Sequence, residues 1–168
     1  MTTLYAQPYD IYAAGFYFDT LEEYNQKAKN NRNIYGEIVE EYEIQFIDGE
    51  HIDCALFKAL GIHQGNIGDY LQVCEDWQEE EKQKVIIAVG ECGYGFNFAT
   101  DTPDIFEVEI YLVETLKELA EQFVDEGLFG EIPHSIASYL DYDAIARDLS
   151  MDYTETEIAG ERLVYRCS

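Results

Sequence analysis

Acids outnumber bases 35 to 10 in this 168-residue chain, which leaves a formal net charge of −25. Charged residues total only 27 %, an ordinary share, so the anomaly is the imbalance of sign rather than the amount of charge. Carboxylates this numerous must stay in water, and what folds must do so with the remaining residues. Those suffice: 47 % of the chain is hydrophobic, with 14 Tyr and 9 Phe. A disordered acidic tail lacks such aromatics and cannot offset its chain entropy. The chain is therefore expected to fold around a real core, as one domain or a few small subdomains.

The same imbalance excludes partners. Nucleic-acid binding depends on Lys and Arg neutralising phosphates, and a −25 chain repels nucleic acid and anionic membrane surfaces alike. Its natural partners are basic. Met1 to Asp10 lacks the basic and apolar regions of a targeting segment, and the apolar run Val85–Val89 is too short to span a bilayer. Cys54, Cys74, Cys92 and Cys167 form no CxxC pair and no metal-like spacing with the histidines. They read as reduced thiols of a cytoplasmic protein, with no metal or cofactor expected.

Periodicity predicts an α+β chain in three parts: residues 1–50, 51–103 and 104–168. In the first, Leu4–Tyr9 and Ile11–Phe18 are β-prone, with Gly15 allowing a bend. Asp19-Thr20 followed by Glu22-Glu23 resembles a capping box, opening a helix toward Lys29. From Glu41 to Ile47, Tyr42, Ile44 and Phe46 alternate with acids, as in a half-buried strand. The middle part is helical, with Cys54, Phe57 and Leu60 or Gly61 recurring at threes and fours, and Ile67, Leu71, Cys74 and Trp77 doing the same. Residues 90–103 read as a linker. In the last part Ile105–Leu112 reads as a strand with Phe106, Val108, Ile110 and Leu112 inward. A helix then runs from about Glu114 to Glu126, closed by Gly127. Short helices end at Tyr139 and span Asp141–Leu149, and two strands meet at Ala159-Gly160.

Acids fall in rows on these elements. Glu114, Glu118, Glu121 and Asp125 are spaced four, three and four, along one helix face, with Glu126 beside them. At about 1.5 Å rise per residue they stand about 4.5–6 Å apart. Like charges at that spacing destabilise a helix, and Asp125 and Glu126 lie at the wrong end of its dipole. Glu107 and Glu109, and Glu41 and Glu43, repeat the device on strands; Glu79 and Glu80 open a middle helix. DNA carries a phosphate per about 3.4 Å of each strand, so such rows could present a phosphate-like field. A plainly solvated face, or adaptation to high salt, is the competing account.

Signals of catalysis or ligand binding fail on inspection. Gly93-Tyr-Gly-Phe96 resembles an RNA-binding strand, but Cys92 stands where a base belongs. Gly90, Gly93 and Gly95 do not complete a dinucleotide fingerprint. Asp141, Asp143 and Asp148 form no calcium loop, and no carboxylate pair is singled out for hydrolysis. No enzyme is expected.

Gly127-Leu-Phe-Gly-Glu-Ile-Pro133 and Tyr139-Leu-Asp-Tyr-Asp-Ala-Ile-Ala-Arg-Asp-Leu149 resemble the ArdA family of antirestriction proteins. The likeness continues through Tyr153-Thr-Glu155 and Ile158-Ala-Gly160 to Leu163-Val-Tyr-Arg-Cys167. It is looser at Ala14-Gly-Phe-Tyr-Phe18 and Glu40-Glu-Tyr-Glu-Ile44. The resemblance implies an elongated DNA mimic from a mobile genetic element, built of three small subdomains and paired as a homodimer through the last. It implies that the protein fills the DNA-binding groove of type I restriction–modification enzymes and blocks restriction and modification. The family's antirestriction motif maps onto Gly127 to about Tyr142, taking in Gly130, Glu131, Pro133, Tyr139 and Asp141, with Asp143, Arg147 and Asp148 just beyond. Arg147 is expected to pair with Asp143, and Phe129, Tyr139 and Tyr142 to lie in a core or dimer seam. The alternative is an acidic inhibitor or chaperone of another DNA-binding or basic protein.

Overall fold

Leu4 and Ala6 point into the core from strand β1 (Thr3–Pro8), while Thr3, Tyr5 and Gln7, which alternate with them, stay partly or fully open. That alternation needs a partner on either side. Antiparallel β2 (Phe16–Phe18) and β3 (Tyr42–Asp48) supply them, in the order β2-β1-β3. Helix α1 (Leu21–Asn30) begins at Thr20, whose Oγ1 accepts the Glu23 N–H at 3.1 Å. Glu23 in turn accepts the N–H of Asp19, the residue before the cap, at 2.8 Å, so the start is like the expected box but its return bond reaches one residue further back. Tyr24 of α1 packs among Phe16, Phe18 and Tyr42, with ring centroids 5.0–6.1 Å apart. The strand expected over Ile11–Phe18 shrinks to its last three residues. Residues 9–15 turn instead, their backbone bonded to the loop before β3.

A chain of aromatics, Phe46 to Phe57 to Tyr70, continues into α2 (His51–Leu60) and α3 (Ile67–Asp76). The Tyr42 N–H also donates to Gln64 Oε1 at 2.7 Å. Helix α4 (Glu79–Val85) widens into a π-helical turn, Ile86–Glu91, with Val85 through Ala88 buried. On α2 the buried residues are Ile52, Asp53 and Leu56, not the expected Cys54-Phe57-Leu60 face, which is only half-buried. A charge at Asp53 hides that face from a hydrophobic pattern.

These elements belong to one compact unit, Met1–Asp104, and residues Ile105–Ser168 form a second. The computed structural model describes all residues, 1–168. The second unit is also α+β. Strands β4 (Val108–Tyr111), β5 (Thr154–Ile158) and β6 (Glu161–Cys167) make an antiparallel sheet in the order β4-β6-β5. Helices α5 (Leu116–Asp125) and α6 (Tyr142–Leu149) accompany it. Leu119, Phe123 and Val164 are its core, ringed by Tyr111, Val113, Leu116, Leu149 and Tyr153.

Strand β4 corrects the expected facing. Tyr111, not Ile110 or Leu112, meets Phe123 and Tyr153, at 5.4 and 5.9 Å between centroids, and Leu112 is 70 % exposed. Pairing decides this: Tyr111 lies opposite Val164, so both reach the face that α5 covers. The expectation of reduced thiols holds for Cys54 and Cys74, which are free, but not for Cys92 and Cys167, which are in the disulfide state. No helix is long and apolar enough to cross a membrane.

Candidate functional site

Of the 35 acids only Asp53 is buried. The first unit holds 20 acids against 6 bases and the second 15 against 4, so both present strongly negative surfaces.

In the first unit Glu41 and Glu43 are exposed on either side of buried Tyr42, as the alternation of β3 requires. Glu79 and Glu80 are exposed in the first turn of α4, where the helix dipole favours them. Glu81 beside them turns back and accepts the Gln78 N–H at 2.8 Å.

In the second unit the outward face of α5 carries Glu118, Glu121 and Asp125, all exposed, opposite buried Leu119 and Phe123. Glu114 falls before the helix, whose cap is Thr115. Its N–H donates to Glu118 Oε2 at 2.8 Å, and Thr115 Oγ1 accepts the Glu118 N–H at 3.2 Å. Glu118 is therefore tied back to the start of the helix as well as part of the row. Glu126 is the C-cap residue before Gly127, exposed, with Oε1 accepting from Gln122 at 3.0 Å. Glu107 and Glu109 are exposed too, but Glu109 is not a free member of a strand row. It stands directly opposite Arg166 and accepts the Tyr111 hydroxyl at 3.1 Å. Glu155, which the sequence did not single out, accepts the Leu116 N–H at the start of α5 at 2.7 Å.

After α5 the chain turns at Gly127, φ 77°, a left-handed conformation that glycine adopts without strain. Gly130, Glu131 and Pro133 are exposed in the loop that follows. A shallow cavity of about 430 Å³ lies there, lined by Val124, Gly127, Gly130, Ile132, Leu140 and Tyr142. Asp141 caps α6, its Oδ1 accepting the Ala144 N–H at 3.0 Å. Asp143 pairs with Lys117 of α5 at 3.4 Å, not with Arg147, because the partner across the helix pair is nearer than the one a turn away. Arg147 and Asp148 are exposed. The aromatics divide: Tyr142 is half-buried, whereas Phe129 and Tyr139 are 51 % and 83 % exposed and lie outside the unit's core.

One ionic feature escaped the sequence reading. Lys82 on α4 is buried and donates to Asp53 Oδ1 at 2.7 Å and to the Cys74 carbonyl at 2.8 Å. The Tyr70 hydroxyl donates to the Asp53 carbonyl at 2.7 Å. Burial pushes the Cys74 thiol up to about 12, which keeps it protonated and unreactive at neutral pH. The only available signal was an acid and a base on otherwise apolar faces.

Carboxylates held in water on folded elements bind by charge, and basic surfaces are what they attract. The class is a strongly acidic α+β protein. The family model described as Antirestriction protein (ArdA) matches residues 4–160, and the chain belongs to that family. No curated protein matches it.

Proposed function

We propose that the protein is a DNA mimic that occupies the DNA-binding groove of a type I restriction–modification enzyme and blocks restriction and modification. Family membership supports an antirestriction role against such an enzyme inside the cell. The observation that carries mimicry is the exposed row Glu118, Glu121 and Asp125 on α5. It stands in a chain that leaves nearly every carboxylate in water. Glu41, Glu43, Glu79, Glu80, Glu107 and Glu126 extend the field on other elements.

The working form is a homodimer joined through the second unit. Leu128, Phe129, Ile136 and Tyr139 are all exposed around the motif, and apolar side chains in that number suit an interface. Two chains at −25 would match about 25 base pairs of duplex, at two charges per pair. Displaced counterions drive binding, so affinity falls steeply as salt rises, and charge steering makes association fast.

The test is inhibition of a purified type I enzyme across a salt series, with phage plating on hosts carrying or lacking such a system. Protection only where the system is present, and inhibition that weakens with salt, support the reading. Inhibition that is flat with salt overturns mimicry. Equal protection of both hosts overturns the restriction-specific target in favour of another basic partner. A monomer at micromolar concentration overturns the dimer.

A further inference from the structure

Two loops of the first unit carry a surface that charge mimicry does not use. Residues 9–15, after β1, and 32–40, before β3, hold Tyr9, Ile11, Ile34, Tyr35 and Ile38 at 53–85 % exposure. These loops are ordered by their own bonds. Asn33, 9 % exposed, sits between them; its Nδ2 donates to Asp10 Oδ2 at 2.9 Å and to Glu37 Oε2 at 3.0 Å. Its Oδ1 accepts the N–H groups of Tyr35 and Glu37 at 2.9 and 3.0 Å. The Ile34 N–H donates to the Tyr12 carbonyl at 3.0 Å, and the Tyr12 and Tyr35 rings meet edge-on at 5.2 Å. Tyr9 and Ile38 line a shallow groove of about 230 Å³, with Asp10, Glu40 and Glu41 beside them.

A buried asparagine saturated by bonds to both loops orders the backbone that presents these apolar side chains to water, outside the core. Tyrosines carried on an ordered backbone, as Tyr12 and Tyr35 are with their rings in contact, lose little entropy when a protein covers them, which is how aromatic anchors gain affinity. A duplex offers a basic groove no such projection, so the loops do something that DNA does not.

We propose that this two-loop tip is an apolar anchor for the target enzyme, docking on a protein surface with an apolar pocket flanked by lysines or arginines. Charge chooses the occupant. Asp10, Glu37, Glu40 and Glu41 surround the tip, and the one base among them, Arg32, donates to the Gly36 carbonyl at 3.0 Å. A second copy would bring the same acids face to face. The tip also continues into β3, whose Glu41 and Glu43 belong to the proposed mimic field. The inference rests on the reading of the chain as an inhibitor of a type I enzyme.

The anchor and the charge field respond differently to salt, and this separates them. Binding of a type I enzyme is measured from low to high salt for the full chain, an Ile11→Ser/Ile34→Ser/Tyr35→Ser variant, an Ile34→Val/Tyr35→Phe variant and a Glu121→Gln/Asp125→Asn variant. The serine variant should bind at least about tenfold more weakly at every salt, with the slope of log affinity against log salt unchanged. The Val/Phe variant should bind as the unaltered chain does, and the charge variant should lower the slope. Circular dichroism confirms that the serine variant is folded. Serine-variant affinity equal to that of the unaltered chain overturns the anchor and leaves the mimic standing. Failure of the unaltered chain to bind the enzyme overturns both. A serine variant that loses self-association rather than enzyme binding overturns the anchor in favour of a contact between copies.

Discussion

Lys82 Nζ lies 2.7 Å from Asp53 Oδ1 with both side chains almost wholly buried, 6 % and 7 % exposed. The pair joins α4 to α2 inside the first unit. Removing one partner strands the other charge away from water, so Lys82→Met should destabilise that unit by about 3–5 kcal/mol. Replacing both, Asp53→Leu with Lys82→Met, should cost less than the single change. Urea unfolding followed by circular dichroism reads both, and a smaller loss from the single change would contradict the assignment.

Ala159 sits at φ 53° beside Gly160 at φ 85°, joining β5 to β6 in a two-residue turn. Both positions are left-handed, which costs alanine about 1–2 kcal/mol and asparagine less. Ala159→Asn should stabilise the second unit by about 0.5–1 kcal/mol, since it creates the Asn-Gly turn that such hairpins favour. Thermal unfolding measures it.

Burial, and then Glu109 accepting its hydroxyl, raise the Tyr111 phenol from 10.0 to about 12. The folded chain thus keeps this proton where the unfolded chain loses it. Its contribution to stability is full below pH 10 and is lost as pH rises toward about 12. Tyr24, Tyr42 and Tyr70 shift the same way, so the comparison needs a variant. Tyr111→Phe should lose less stability than the unaltered chain across that alkaline window. Denaturant midpoints against pH read the difference.

Lys117 and Asp143 meet at 3.4 Å with side chains 52 % and 70 % exposed. Solvent screens such a pair, so Lys117→Ala should change stability by at most about 0.5 kcal/mol. It also removes one of only 10 bases. Under the proposed mimicry, inhibition should hold or strengthen; a large loss would make Lys117 a contact residue.

Glu121 and Asp125 are exposed a turn apart near the C-terminal end of α5, where neither favours the helix. Glu121→Gln with Asp125→Asn should leave stability unchanged or slightly higher. The same pair of changes should lower the salt slope of enzyme binding by up to about two. Inhibition assays at several ionic strengths decide it, and an unchanged slope would place the row outside the contact.

Much of the secondary structure was legible because its signals are local. Thr20 with Glu23 opens α1, Asp141 caps α6, and Gly127 closes α5, each through atoms within a few residues. The buried face of α5 was legible for the same reason, since Leu116, Leu119 and Phe123 recur at helical spacing. Strand facing was not. Alternation in β4 separates two sets of side chains but says nothing about which set a helix covers, and pairing with Val164 chose Tyr111. The acid rows could be placed on elements, but not which acids are engaged. Glu118 completes a cap, Glu109 meets Tyr111, and Asp143 meets Lys117 rather than Arg147.

By itself the sequence determined the sign and surplus of charge, the α+β alternation and the family, because composition, periodicity and motif are properties of the chain alone. Only tertiary structure decided that Asp53 is the one buried acid and that Lys82, 29 residues away, neutralises it. It alone held Tyr9, Ile11, Ile34 and Tyr35 in water. The physical reason is common to both. Whether a charge is paired or an apolar side chain covered depends on which distant segment packs against it, and no local pattern encodes that choice.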